Sequence, residues 1–285
     1  MIQLVRSAAV SLALAAGAQA AGAQAWRTLE SSRQLRDSAE HHVRVEYGAG
    51  RIDIAATSAP VLYAMTLRYD ETMASPVHRY DADARVLTLG VDIESRRLSG
   101  LRDQTRGEMR LSLSRDVPVD LHLQLGATKA TLDLGGLRLS NLRLESGASE
   151  TLLDFSTPNA ERMRSLEVSV GAASFEARNL ANANASNIRV VGGVGSVALD
   201  FGGQWSQDVA VDVEVSLGKL TLHVPRDVGV RVEVQKIFAS FDYVGLIKRD
   251  GAYFSDNWER APHRLRVRAG TRFGGIELDR NARGD

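Results

Sequence analysis

Cysteine is absent from all 285 residues. The fold therefore has no disulfide framework, thiolate nucleophile or cysteine-ligated metal, and its core must hold it unaided. Net charge is missing as well: thirty-five basic and thirty-five acidic residues cancel. No global field draws the chain to nucleic acid or to an anionic membrane surface. Proline is scarce, and Pro76, Pro118, Pro158 and Pro225 fall between apolar segments, where a missing amide donor costs no ladder bond. Long apolar runs are also lacking. The stretch from Ala8 to Ala16 falls short of the roughly 20 residues needed to span a bilayer.

That short stretch follows Arg6 and gives way to two small-x-small endings, Ala18 to Ala20 and Ala23 to Ala25. A basic residue, a brief apolar run and such endings make a secretory signal peptide over 1–25, with a mature start at Trp26. The expected location is periplasmic or extracellular. Residues 26–41 read as a linker or short helix. From there, apolar residues alternate almost to the C-terminus, as in Val43, Val45 and Tyr47, or Val209, Val211, Val213 and Val215. That period of two belongs to half-buried strands.

From Leu121 onward one unit recurs. Leu121, Leu123 and Leu125 end on Gly126 and restart at Leu132 and Leu134; Leu166, Val168 and Val170 end on Gly171 and restart at Phe175. Gly126, Gly147, Gly171, Gly193 and Gly218 mark turns of about 20 to 25 residues, a spacing typical of stacked solenoid units. A single coil cannot bury its apolar row, whereas stacked coils bury it at roughly 1.5 to 3 kcal/mol per side chain. The expected fold is all-β, a single-domain β-solenoid built like a β-helix from short strands with glycine corners. An N-terminal β segment covers 42–120 and the repeats 121–280, with an aromatic-rich C-terminal cap and a disordered tail at 281–285. Leu265 to Leu278 reads as a terminal repeat.

These residues resemble a known family. Tyr47 to Gly50, Leu67 to Asp70, Gly192 to Gly195 with Leu199 to Phe201, Val224 and Pro225 with Gly229 and Val230, and Phe273 to Leu278 resemble toast-rack β-solenoid domains. The resemblance covers nearly the whole mature chain and is strongest to the C-terminal domain of LiaF-like, cell-wall-active antibiotic response proteins. It implies a right-handed stack engaged in protein contacts at the envelope, in some members regulating a membrane stress-sensing kinase. This chain departs from that pattern in carrying a cleavable signal in place of several membrane helices.

Candidate chemistry is thin. His41, His42, His78, His122, His223 and His263 show no metal-ligand spacing on one helical face. His41 and His42 read as exposed polarity at the start of the domain, and His122 and His223 as solvent-facing strand positions. Asp133, Asp154 and Asp200 share one place in the repeat and would form a carboxylate row, interrupted by Arg178. Ser196 and Ser149 sit in repeat corners without a nucleophile elbow. Arg96, Arg97, Arg102 and Arg106 read as a solvated loop. Aromatics gather near the end, and Phe241, Tyr243, Tyr253, Phe254 and Trp258 are the candidate binding residues, with a plug for the open end as the alternative. The sequence thus points to a non-enzymatic exported protein that binds or scaffolds an envelope protein or cell-wall component, possible settings including the envelope stress response. No catalytic residue, metal or cofactor is expected. A polysaccharide-acting β-helix enzyme and an adhesive or structural module are the alternatives.

Overall fold

The computed structural model describes residues 25–93 and 107–280. Nearly all of the expected signal peptide, the four clustered arginines and residues 281–285 lie outside them. The strands are β1 (Trp26–Gln34), β2 (His41–Thr57), β3 (Val61–Asp70), β4 (Ala74–Asp81), β5 (Val86–Ile93), β6 (Glu108–Ser114), β7 (Pro118–Asp133) and β8 (Arg138–Asp154). They continue as β9 (Ser165–Arg178), β10 (Asn187–Asp200), β11 (Val209–His223), β12 (Gly229–Tyr243), β13 (Leu246–Arg249), β14 (Ala252–Ser255) and β15 (Arg264–Asp279). All fifteen belong to one sheet. Strands β2, β7, β8, β9, β10, β11, β15 and β12 run parallel in that spatial order. The chain is an all-β solenoid whose coils each contribute one such strand.

The expected pairs of short strands turn out to be single long ones with an inflection. In β7 the buried side chains are odd-numbered from Val119 to Leu125 and even-numbered from Thr128 to Leu132. The extra outward position falls at Gly126 and Ala127. Such an inserted residue bends a strand and switches which side faces the core. Both halves then point apolar side chains into one interior, where Phe155, Phe175 and Phe201 are buried.

Glycine at the inflection follows from backbone approach. A Cβ on Gly126 would lie 2.1 Å from the Gly48 carbonyl oxygen, and one on Gly193 would lie 2.7 Å from that of Gly171. No side chain fits there. Gly218 departs from the expected row: it pairs with Gly195, and Gly218 in turn pairs with Gly274. Ser216 holds the place beside Gly193, since Val215 pairs with Gly192 and Leu217 with Val194. Loss of the inserted-residue count in the sequence repeat is the reason for the misplacement.

Loops on the remaining side are tied by buried asparagines. Asn159 donates from Nδ2 to the carbonyls of Leu139 at 2.8 Å and Ala183 at 3.2 Å and accepts from the Leu139 amide at 2.9 Å. Asn182 repeats the device one coil on, donating to the Phe155 carbonyl at 2.8 Å and accepting from the Gln204 amide at 2.7 Å. Removing such a group strands buried backbone partners. Asn159→Ala is expected to cost about 1–3 kcal/mol in chemical denaturation, whereas Asn187→Ala, at an exposed position, should change little.

Two expectations about the ends are corrected. Residues Trp26–Gln34 are not a linker or helix but an edge strand, antiparallel to β3 throughout. Leu29 packs against the core from this strand, and pairing with a formed sheet overrides a sequence with little apolar periodicity. At the other end, β15 is not terminal. It inserts between β11 and β12, which leaves β12 and the β13–β14 hairpin as the end of the stack.

Candidate functional site

The groups that most often carry catalysis are dispersed or structurally employed. His41 is buried rather than exposed. Its Nδ1 lies 2.9 Å from the Ala39 carbonyl and its Nε2 3.3 Å from the Tyr80 hydroxyl, so it fastens β5's hairpin partner β4 to the start of β2. His42 is exposed and faces Asp120 at 3.2 Å. His122 and His223 are half-buried, 3.7 Å from Glu145 and 3.9 Å from Asp279. Ser31, Tyr63 and His78 form a small cluster, with Ser31 Oγ 2.9 Å from the Tyr63 hydroxyl and 3.3 Å from His78 Nε2. This knits β1, β3 and β4 together, and among the described residues no carboxylate is bonded to the imidazole there.

The aspartate row exists and is longer than expected. Asp133 pairs with Asp154, Asp154 with Arg178, Asp200 with His223 and His223 with Asp279. Arg178 and His223 interrupt the row after the adjacent Asp133 and Asp154, and Asp154 and Asp200 both raise the pKa of Arg178 behind the larger effect of its hydrogen bond to Glu176. Asp133 accepts from the Gly135 amide and the Ser156 hydroxyl, and Asp154 accepts from Asn179. Among the described residues no group of three or more histidine, aspartate or glutamate side chains is placed to hold a metal ion.

Beside the glycine inflections runs an open groove of about 1050 Å³ whose floor includes Gly48, Gly126, Gly147, Gly171 and Gly193. Glu145 lines it. The hydrogen bond from Arg143 at 2.7 Å lowers the Glu145 pKa, the direction opposite to that a glycosidase general acid requires.

The next residue along each strand makes a different surface. Ala148 pairs with Ala172, Ala172 with Val194, Val194 with Leu217, Leu217 with Phe273 and Phe273 with Phe238. All six point outward and are exposed, so neighbouring strands about 4.8 Å apart build one continuous apolar ridge. It grows from methyl groups to phenyl rings toward the C-terminal end. Val194, Leu217, Phe273 and Phe238 are 53, 49, 49 and 71% exposed, and the two phenyl rings stack with centroids 5.5 Å apart. The ridge was not foreseen from the sequence, because only the pairing order places Phe273 between Leu217 and Phe238.

The five aromatic candidates fall into two ring clusters. Phe241, Tyr243 and Tyr253 touch one another with centroids 4.8 to 5.0 Å apart, where the hairpin folds over the end of the stack. Phe254 meets Trp258 at 5.8 Å, with Arg249 4.7 Å from the Phe254 ring centre and Arg266 5.5 Å from that of Trp258. Tyr253 and Phe254 also carry the strand pairing of β14 to Val232 and Arg231. Next to this second cluster, Arg189, Asp212, Arg268 and Glu233 form a row of alternating charge along a shallow depression of about 320 Å³.

The chain is similar to solved structures of low identity and matches one family model. A crystal structure of a proposed cell-adhesion protein from Clostridium sporogenes is 17% identical, covers 90% of this chain and 100% of its own, and superposes with a TM-score of 0.48. A proposed adhesin from Bacteroides fragilis is 8% identical over 89% of this chain and 97% of its own, with a TM-score of 0.43. Likenesses this loose identify neither a partner nor an activity. No curated protein matches the chain. The model of the N-terminal domain of toast_rack, DUF2154, matches residues 23–176, more than half of the sequence, and the chain belongs to the toast-rack family.

Proposed function

We propose that the chain is a non-enzymatic exported module that binds or scaffolds another component of the cell envelope through the C-terminal end of its stack. The ridge from Val194 through Leu217 and Phe273 to Phe238 carries this reading. Soluble proteins seldom keep contiguous large apolar side chains in water without a partner for them. Trp258, Phe254 and the neighbouring arginines extend the surface with residue types favoured at interface centres. The LiaF-like resemblance supports an envelope stress response as the setting for such contacts.

Crosslinking capture from native envelope fractions tests the proposal with three proteins: wild type, Leu217→Ser with Phe273→Ser, and Tyr253→Ala with Trp258→Ala. Circular dichroism confirms that each variant folds. The ridge variant is expected to lose a specific partner that wild type retains. Equal capture by a folded ridge variant would move the site elsewhere; loss only in the aromatic variant would place it on the hairpin.

A further inference from the structure

The two ends of this stack are finished differently. At the N-terminal end, β4 presents exposed Pro76, His78 and Arg79, and β1 presents exposed Arg27 and Glu30. Proline and charge on an edge strand discourage pairing with another chain. At the C-terminal end, β14 covers β12 only at Arg231 and Val232, while β12 stays paired with β15 through Tyr243. From Glu233 onward the free edge of β12 has no strand beside it among the described residues. Between Phe238 and Val244 it carries one charge, Asp242, and no proline. Phe238, Tyr243 and Val244 are 71, 41 and 55% exposed. Tyr253 of the hairpin packs on the side chains of Phe241 and Tyr243, but the backbone edge itself stays open, and an open apolar edge is a template for strand addition.

The pattern along this edge selects its occupant. Phe238, Ser240 and Asp242 are exposed and alternate with half-buried Ala239 and Phe241. A two-fold axis perpendicular to the sheet pairs two copies antiparallel and keeps each outward face on the same side, so only positions of equal parity oppose each other. With the axis at Asp242, the carboxylates would face each other. With it at Ser240, Asp242 would oppose Phe238. With it at Phe241, Ser240 opposes Asp242, Ala239 opposes Tyr243, and Phe238 opposes Val244. Apolar then meets apolar, and the one charge meets a hydroxyl that in the single chain donates to its own Asp242 at 3.2 Å and can exchange that bond for one across the axis.

We propose that the Phe238–Val244 edge of β12 pairs antiparallel with the same edge of a second copy, about a two-fold axis at Phe241. This goes beyond the proposed partner binding and does not depend on it: it uses the backbone edge of β12, whereas partner binding uses the side chains of the ridge, and the two share only Phe238.

Size exclusion with light scattering over a concentration series provides the test. Wild type is expected to run as a dimer, Ser240→Asp as a folded monomer because it sets carboxylates opposite each other, and Ser240→Lys as a dimer because it sets a cation opposite Asp242. The absence of native cysteine adds a second readout. A mixture of Ser240→Cys and Asp242→Cys chains should form a disulfide-linked dimer under oxidation, and neither variant alone should do so efficiently. A wild type that stays monomeric throughout, a dimer indifferent to the sign at position 240, or a mixture that does not crosslink would overturn the proposal. Should Ser240→Asp fail to fold, the cysteine pair decides.

Discussion

Gly218→Ala is expected to destabilise the chain by about 2–6 kcal/mol, combining backbone strain with overpacking. The residue has φ +142°, and an added Cβ would sit 1.7 Å from the Gly195 carbonyl oxygen. That oxygen belongs to the neighbouring strand, which is paired on both sides along its length and cannot yield locally. Gly274 repeats the contact one strand further, 1.8 Å from the Gly218 carbonyl oxygen, so relief at one coil transfers strain to the next. Gly251 is the control. It too has a positive φ, +79°, but nothing lies within 4 Å of its added Cβ, and Gly251→Ala should cost only the strain, about 1–2 kcal/mol. Urea unfolding of the two variants separates the causes. Equal losses would show that close approach between coils does not set the glycine row.

Arg280→Ala should cost about 3–5 kcal/mol, the range for removing one partner of a buried charged network. The guanidinium is nearly enclosed. Its Nη2 donates to the carbonyls of Arg226 and Val228, each at 2.7 Å, and lies 3.4 Å from the Asn257 side-chain oxygen; its Nη1 lies 3.7 Å from Asp256. Those carbonyls belong to the turn that launches β12, and Arg280 directly follows β15. One side chain therefore locks the inserted strand to the strand it displaced from the stack. Arg280→Met, which keeps volume but no donor, should lose nearly as much as alanine. Recovery of wild-type stability by methionine would mean that packing, not hydrogen bonding, provides the lock.

How much of this was legible follows from which forces are local. Alternation of Val, Leu and Ile reports a strand face directly, and a glycine every coil reports a corner, so the solenoid and its inward rows were readable. The inserted residue at each corner was not, since it changes side-chain parity without changing composition. Strand order was also hidden, because pairing of β15 with β11 rests on contacts far apart in sequence. The glycine place gives no signal for the end of the stack: Gly195, Gly218 and Gly274 are in register with Ala239 on terminal β12 but also with Ala173 on internal β9. Asn159, Asn182 and Arg280 were missed because their partners are mostly backbone groups, which no side-chain pattern announces. For the candidate site, the five aromatics were visible as a cluster in sequence, but their division into two ring groups and the ridge beside them depend on the pairing order.

The central claim, that the C-terminal ridge contacts another envelope component, is tested most directly by site-specific photocrosslinking in intact envelopes. A photoreactive side chain at Leu217 is compared with one at Thr131, an exposed position on β7 away from the ridge. A discrete adduct to another envelope component from position 217 and none from position 131 is the predicted result; an adduct from position 131 alone, or none from either, would contradict the account.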